Sequence, residues 1–131
     1  MKISQQLIDE MVAHAREDLP NECCGMVGGG DGAARTVYRA ANAEASPFRY
    51  SIDAQEQFRL MQEIEGAGEE LVGIYHSHTK SPAYPSQTDV NLAGWPDAVY
   101  LIASLADAEA PDVKGFWIRD GQISEAELVV E

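Results

Sequence analysis

Two histidines, His76 and His78, stand two residues apart at the end of the apolar run Leu71-Val72-Gly73-Ile74-Tyr75. That run reads as a β-strand. On a strand, residues i and i+2 point to the same face, so both imidazoles can reach one metal ion. Asp89 follows His78 by eleven residues, past a loop containing Pro82 and Pro85, with Ser86 three residues before it. Two neutral imidazoles and one carboxylate occupy three corners of a tetrahedron and leave the fourth open, which is the arrangement of catalytic rather than structural zinc. The residue types and their spacing are those of a hydrolytic metal site.

Each part of this set also has an ordinary role. A single histidine on a strand is usually just hydrogen-bonded or half-exposed. Ser86-Gln87-Thr88-Asp89 has the spacing of a helix N-terminal box, with Ser86 as the cap and Asp89 as the acidic first-turn residue. The cap and ligand roles of Asp89 are compatible, because a short helix would hold the carboxylate still. A water activated by a metal also needs a general base, and zinc peptidases typically use a carboxylate. Glu22 is the candidate, lying between Pro20-Asn21 and the apolar run Cys23-Cys24-Gly25-Met26-Val27. Spacing alone equally allows Glu22 to be a boundary residue at a strand edge.

The elements that must position these residues can be read from periodicity. Ser4 to Leu19 predicts an amphipathic helix. Ser4 is its cap, Ile3 and Ile8 take the staple positions, and Leu7, Ile8, Met11, Val12, Ala15 and Leu19 form one stripe that Pro20 ends. Residues 23–32 and 35–40 read as a hairpin around a glycine-rich turn. Phe48-Arg49-Tyr50-Ser51-Ile52 alternates as a further strand would. A helix follows from Asp53, with Phe58, Met61 and Ile64 inward and Gly66 and Gly68 at its end. After the histidine strand come a short helix from about Ser86 to Ala93 and a buried strand over Val99–Ser104. Two final strands, Val113–Arg119 and Glu127–Val130, flank the turn Asp120-Gly121. No repeat or linker interrupts the chain, and the pattern is mixed α/β around one sheet.

Composition narrows the function classes. A chain of 131 residues with 45% hydrophobic content is large enough for one real core. The formal charge of −13 argues against nucleic acid, which recruits Lys and Arg to its phosphates, and against anionic membrane surfaces. No apolar run is long enough to cross a bilayer, and the first residues lack a basic segment followed by an apolar one, so a cytoplasmic protein is expected. Cys23 and Cys24 are adjacent and have no third partner. They read as reduced, buried small apolar residues rather than as a disulfide or a zinc pair.

The spacing His76-x-His78, seven residues, Ser86, two residues, Asp89, with Glu22 far upstream, resembles the signature of the JAMM (MPN-plus) metalloprotease family. The resemblance runs from the first helix to the last strands. It implies a single domain over residues 1–131, with a cytidine-deaminase-like mixed α/β sheet flanked by helices. It also implies a Zn2+ ion held by His76, His78 and Asp89, with Ser86 stabilising the oxyanion and Glu22 shuttling the proton. The implied activity is hydrolysis of the peptide or isopeptide bond after the C-terminal tail of ubiquitin or a ubiquitin-like protein. The compact form, with Glu-Cys-Cys-Gly after the first helix, is similar to bacterial Mec-type peptidases, which release a new cysteine from a ubiquitin-like sulfur carrier. An extended tail can enter by pairing with a sheet edge, though the sequence does not say which. A non-catalytic MPN-type scaffold binding a ubiquitin-like protein is the alternative, but such domains usually lack the ligands present here. A zinc nucleoside deaminase needs H-x-E and P-C-x-x-C, which this chain lacks. The oligomeric state stays open, a homodimer being one option.

Overall fold

The computed structural model describes all 131 residues. In chain order the elements are β1 (Lys2–Ile3), α1 (Gln5–Glu17), β2 (Cys24–Gly30), β3 (Ala33–Ala40), α2 (Ala54–Gly66), β4 (Glu70–His78), α3 (Gln87–Leu92), β5 (Val99–Ser104), β6 (Asp112–Arg119), β7 (Gln122–Ala126) and β8 (Val129–Val130). One eight-stranded sheet has the order β7-β6-β5-β4-β2-β3-β1-β8. Strands β4 and β5 are parallel, β1 is parallel to both of its neighbours, and the other pairs are antiparallel. Strands β7 and β8, the two ends of this order, are separated in sequence only by Glu127-Leu128, so the sheet curls until its ends approach each other.

The curl gives the sheet two differently covered faces. On one, Ile3 and the α1 stripe Leu7, Met11 and Ala15 pack against Cys23, Val27, Tyr75, Leu101 and Ala103. On the other, Leu60 and Ile64 of α2 cover Cys24, Met26 and Ala40. Val90, Ala93 and Trp95, in and after α3, pack on Ile74, Tyr100 and Ile118 of that same face. Burial from both sides explains why β5 is apolar almost without interruption and is buried along its whole length. No helix is long and apolar enough to cross a membrane.

Local chemistry sets the helix starts. The Ser4 hydroxyl accepts from the Leu7 N–H, as its position requires. Asp53 accepts from the Gln55 and Glu56 N–H groups. Glu56 does not close a reciprocal box, because its carboxylate reaches across to the Ala41 N–H at 2.8 Å.

Several expectations are corrected. Phe48–Ile52 is not a strand. Asn42 takes over its backbone groups, donating to the Arg49 carbonyl at 3.0 Å and accepting from the Ser51 N–H at 3.2 Å. Phe58 points outward, with 66% of its surface exposed. The inward stripe of α2 runs through Leu60, Met61 and Ile64, and Phe58 lies about 200° around the helix from Leu60. The strand after the Asp120-Gly121 turn begins at Gln122, because both turn residues have positive φ and a two-residue hairpin of this kind pairs its flanking residues directly. The final segment contributes only Val129–Val130, which pairs with β1, a strand not anticipated.

Neighbouring residues on a strand face opposite ways, and Cys23 and Cys24 do so: one joins the α1 side of the core and the other the α2 side. Both are free thiols, and burial pushes each up to about 12, so neither is a nucleophile near neutral pH. Gly25 lies directly under the Tyr75 ring, where an added Cβ would stand 2.3 Å from Cε1 and 2.6 Å from the Tyr38 carbonyl oxygen. This close approach lets the buried Tyr75 hydroxyl meet His14 Nδ1 at 2.7 Å. Gly25→Ala should therefore cost about 1–3 kcal/mol through overpacking. Urea denaturation should show a lower midpoint at unchanged slope, and an unshifted midpoint would contradict this account of the β2–β4 contact.

Candidate metal centre

The site is built on the alternation of β4. Tyr75 and Ser77 turn toward α1, which leaves Ile74, His76 and His78 on the α2–α3 face. His76 lies in the sheet interior, opposite Cys24 on β2 and Ile102 on β5, while His78 lies opposite Ser104. Both imidazoles are buried, and the Tyr50 ring stacks on His76 with centroids 4.4 Å apart and planes 20° apart. His78 Nδ1 lies 2.8 Å from the Pro82 carbonyl oxygen, an acceptor only. The proton of a neutral His78 therefore sits on Nδ1 and the Nε2 lone pair is available. His76 Nδ1 has no such partner in the protein.

Asp89 arrives from the other side of the loop. Ser86 caps α3, with its hydroxyl accepting from the Asp89 N–H at 3.1 Å, and Asp89 Oδ2 in turn accepts from the Ser86 N–H at 2.9 Å. This closed box turns the carboxylate back toward β4. Asp89 Oδ2 lies 3.1 Å from His76 Nε2 and 3.0 Å from His78 Nε2, and the two Nε2 atoms are 3.2 Å apart. Donor atoms about 2.0–2.1 Å from a tetrahedral zinc would stand roughly 3.3 Å from one another. The three atoms thus already have the mutual spacing of ligands around one small ion, and all three residues are buried.

The electrostatics agree with that reading. Burial alone would push Asp89 up, but hydrogen bonds from His76 and His78 and the Ser86 N–H hold it well below the usual carboxylate range. Burial pushes His76 down, against the pull of Asp89. Burial also lowers His78, yet Asp89 and the Pro82 carbonyl outweigh it and raise this group. Once the Nε2 protons leave, the dry anion faces imidazole lone pairs, an arrangement that a divalent cation satisfies.

Glu22 comes from the start of β2. Its N–H donates to the Ser46 carbonyl at 2.9 Å, and its own carbonyl accepts from Asn42 Nδ2 at 3.0 Å. The next residue is tied to β4, as the Cys23 N–H donates to Ser77 Oγ at 2.8 Å. Glu22 is 4% exposed, and its Oε1 has no hydrogen-bond partner within the protein. Burial pushes it up to about 7, Asp89 adding to the rise and His78 opposing it. Glu22 lines a cavity of about 230 Å³ together with His78 and Ser86, and it stands outside the His76–His78–Asp89 cluster. Because Ser86 Oγ accepts from the Asp89 N–H, its own O–H remains available to donate. A proton acceptor poised near neutrality, a hydroxyl donor and three converging ligand atoms together can activate water and polarise a carbonyl.

All five residues singled out in the sequence therefore come together in one region. Several contributors were not foreseen. Tyr50 was read as a strand residue, and nothing in its local pattern signals the stack on His76. The Pro82 carbonyl is invisible to side-chain reasoning. Asn42 carried a usable signal, since a lone Asn between alanines after a strand is a turn former.

The family model described as prokaryotic homologs of the JAB domain matches residues 4–119. A CysO-cysteine peptidase of Mycobacterium tuberculosis is 43% identical over 125 residues, covering 94% of this chain and 86% of that protein. A desampylase of Haloferax volcanii is 44% identical over 104 residues, covering 73% and 74% respectively. Among solved structures, a protein of Desulfitobacterium hafniense superposes with a TM-score of 0.91 at 37% identity, over 99% of this chain and 92% of that one. A JAB1/MPN domain protein of Archaeoglobus fulgidus shares the fold, with a TM-score of 0.62 at 19% identity over 98% and 99% of the two chains. The chain belongs to the prokaryotic JAB domain family, as a JAMM-type peptidase close to the Mec-type enzymes.

Proposed function

We infer that this chain is a zinc peptidase that cleaves the bond after the C-terminal tail of a ubiquitin-like protein, releasing cysteine from a sulfur carrier. The observation that carries the reading is the convergence of His76 Nε2, His78 Nε2 and Asp89 Oδ2 beside the buried Glu22 carboxyl. The relative named for a CysO–cysteine bond supports the cysteine-releasing form, and the whole chain serves as the one catalytic domain. The two reduced, buried thiols suit the cytoplasm.

His76, His78 and Asp89 would hold the ion. When bound, zinc supplies a Lewis acid that acidifies a water to a pKa of about 7 and polarises the scissile carbonyl. Glu22 takes one proton from the attacking water as the new C–O bond forms. It then delivers that proton to the amide nitrogen as the C–N bond breaks, so the leaving group departs as a neutral amine. Ser86 donates its O–H to the carbonyl oxygen as charge develops there, while the Asp89 N–H holds the hydroxyl in place. Burial around the histidines excludes bulk water and strengthens each of these interactions.

The test is incubation of the zinc-loaded protein with a sulfur-carrier–cysteine adduct, followed by mass spectrometry. Loss of one cysteine residue from the carrier is the expected product. An intact adduct that nevertheless binds would leave a non-catalytic ubiquitin-like binding scaffold. Metal analysis should give about one zinc per chain, and Asp89→Ala should weaken zinc binding by more than the roughly 10–100-fold that loss of an outer partner costs. Full zinc affinity in that variant would remove Asp89 from the ligand set. Glu22→Gln keeps the shape without the base, so zinc content should persist while turnover falls by roughly 10²–10⁴. If zinc left with the activity, Glu22 would be a ligand. The folded carrier body should also matter, because remote binding energy positions the tail carbonyl. Equal kcat/KM for the intact adduct and its isolated tail peptide would leave a general small-peptide hydrolase.

A further inference from the structure

We propose that Lys80 is a specificity residue that binds the free carboxylate of the departing amino acid, so that the site selects a terminal residue over an isopeptide-linked side chain. This rests on the peptidase reading above and adds the chemistry of the leaving group to it.

The group that hands a proton to the leaving amine must come within hydrogen-bond reach of that nitrogen. Glu22 lines two cavities, one with His14, Glu17, Asp18 and Arg39 and one with His78, Thr79, Lys80, Ser81 and Ser86, and only the second includes other residues of the site. The apolar cavity of about 240 Å³ walled by Met26, Tyr50, Ile74, Trp95 and Tyr100 is lined by none of the five site residues. The leaving group therefore occupies the cavity that Glu22 shares with Lys80.

The leaving-group cavity is small, and Pro47 and Phe48 join the polar side chains in its lining. At about 230 Å³ it has room for a single amino-acid residue. Lys80 is the only Lys or Arg among its lining residues. It is exposed and makes no ion pair, whereas Arg35, Arg39, Arg59 and Lys114 are each committed to a carboxylate.

The backbone on both sides of Lys80 is fixed. The Thr79 hydroxyl donates to the Pro47 carbonyl at 3.3 Å, and the Ser81 carbonyl accepts from Ser104 Oγ at 2.6 Å. His78, two residues earlier, meets the Pro82 carbonyl. A flexible ammonium on a pinned loop is thus held at the mouth of the cavity. A chain with a formal charge of −13 otherwise repels an anionic terminus, so an unpaired cation at this point decides whether a carboxylate is accepted. An isopeptide-linked lysine carries no carboxylate at that distance from the scissile nitrogen and gains nothing from Lys80.

The experiment compares two carrier adducts, one ending in an amino acid with a free carboxylate and the other in the same amino acid as its primary amide. Zinc-loaded wild type should favour the acid by roughly tenfold in kcat/KM, the worth of one hydrogen bond to a charged group. Lys80→Gln should bring that ratio near one, Lys80→Arg should keep most of it, and Lys80→Glu should reverse it. Calorimetric titration of the Glu22→Gln protein with the two uncleaved adducts reads the same preference in binding, without turnover. Thermal midpoints of the Lys80 variants check that the fold is intact. Equal use of acid and amide by wild type, or an unchanged ratio in Lys80→Gln, overturns the Lys80 assignment and leaves the peptidase reading standing. Hydrolysis of neither adduct overturns both.

Discussion

The arrangement depends above all on one oxygen atom. Asp89 Oδ2 meets the Ser86 N–H and both histidine Nε2 atoms within 3.1 Å. The helix that carries it is only six residues long, too short to persist by itself. Its existence depends on the reciprocal Ser86–Asp89 box and on Val90, Ala93 and Trp95 seated against Ile74 and Tyr100. The carboxylate is therefore positioned by the same sheet face that presents the imidazoles. A shift of β4 by one residue would turn both histidines toward α1 and dissolve the site.

The curled sheet makes that face dry. Tyr50 covers His76, the Pro82 carbonyl takes the outer nitrogen of His78, and α2 closes the neighbouring surface. Burying an anion, two imidazoles and a second carboxyl is costly unless their charges are balanced, and the protein alone balances them only in part. Glu22 Oε1 and His76 Nδ1 remain without partners. The fold thus gathers His76 Nε2, His78 Nε2 and Asp89 Oδ2 at one dry point in space. That is the general condition for strong transition-state electrostatics.

The ligands were legible in the sequence because each obeys a short-range rule. His76 and His78 follow the two-residue period of a strand, and Ser86 and Asp89 follow the three-residue reach of a cap. Glu22 was visible only as a candidate, because its place depends on a bond between Cys23 and Ser77, residues 54 apart in the chain. Local alternation misled where a side chain competed for the backbone, as Asn42 does over 49–51. It misled again at Phe58, where helical phase and hydrophobicity disagree and the phase set by Leu60 and Ile64 prevails. β1 and β8 are two residues each and carry no period to detect.

The pairing of β1 with β8 joins Lys2 to Val129 and Ile3 to Val130. The outermost sheet contact thus links residues 127 positions apart, close to the greatest separation this sequence permits. Ile3 belongs to the main core together with Leu7, Met11 and Ala15, so the apolar stripe of the first helix borders a strand formed by residues far downstream. During translation that stripe emerges early, while its full cover exists only once residues near 130 have been added. A chain of such long-range order closes slowly relative to helical proteins of its size. Until residues near 130 join, it carries an unfinished sheet edge beside exposed hydrocarbon, the condition under which nascent chains engage chaperones or one another.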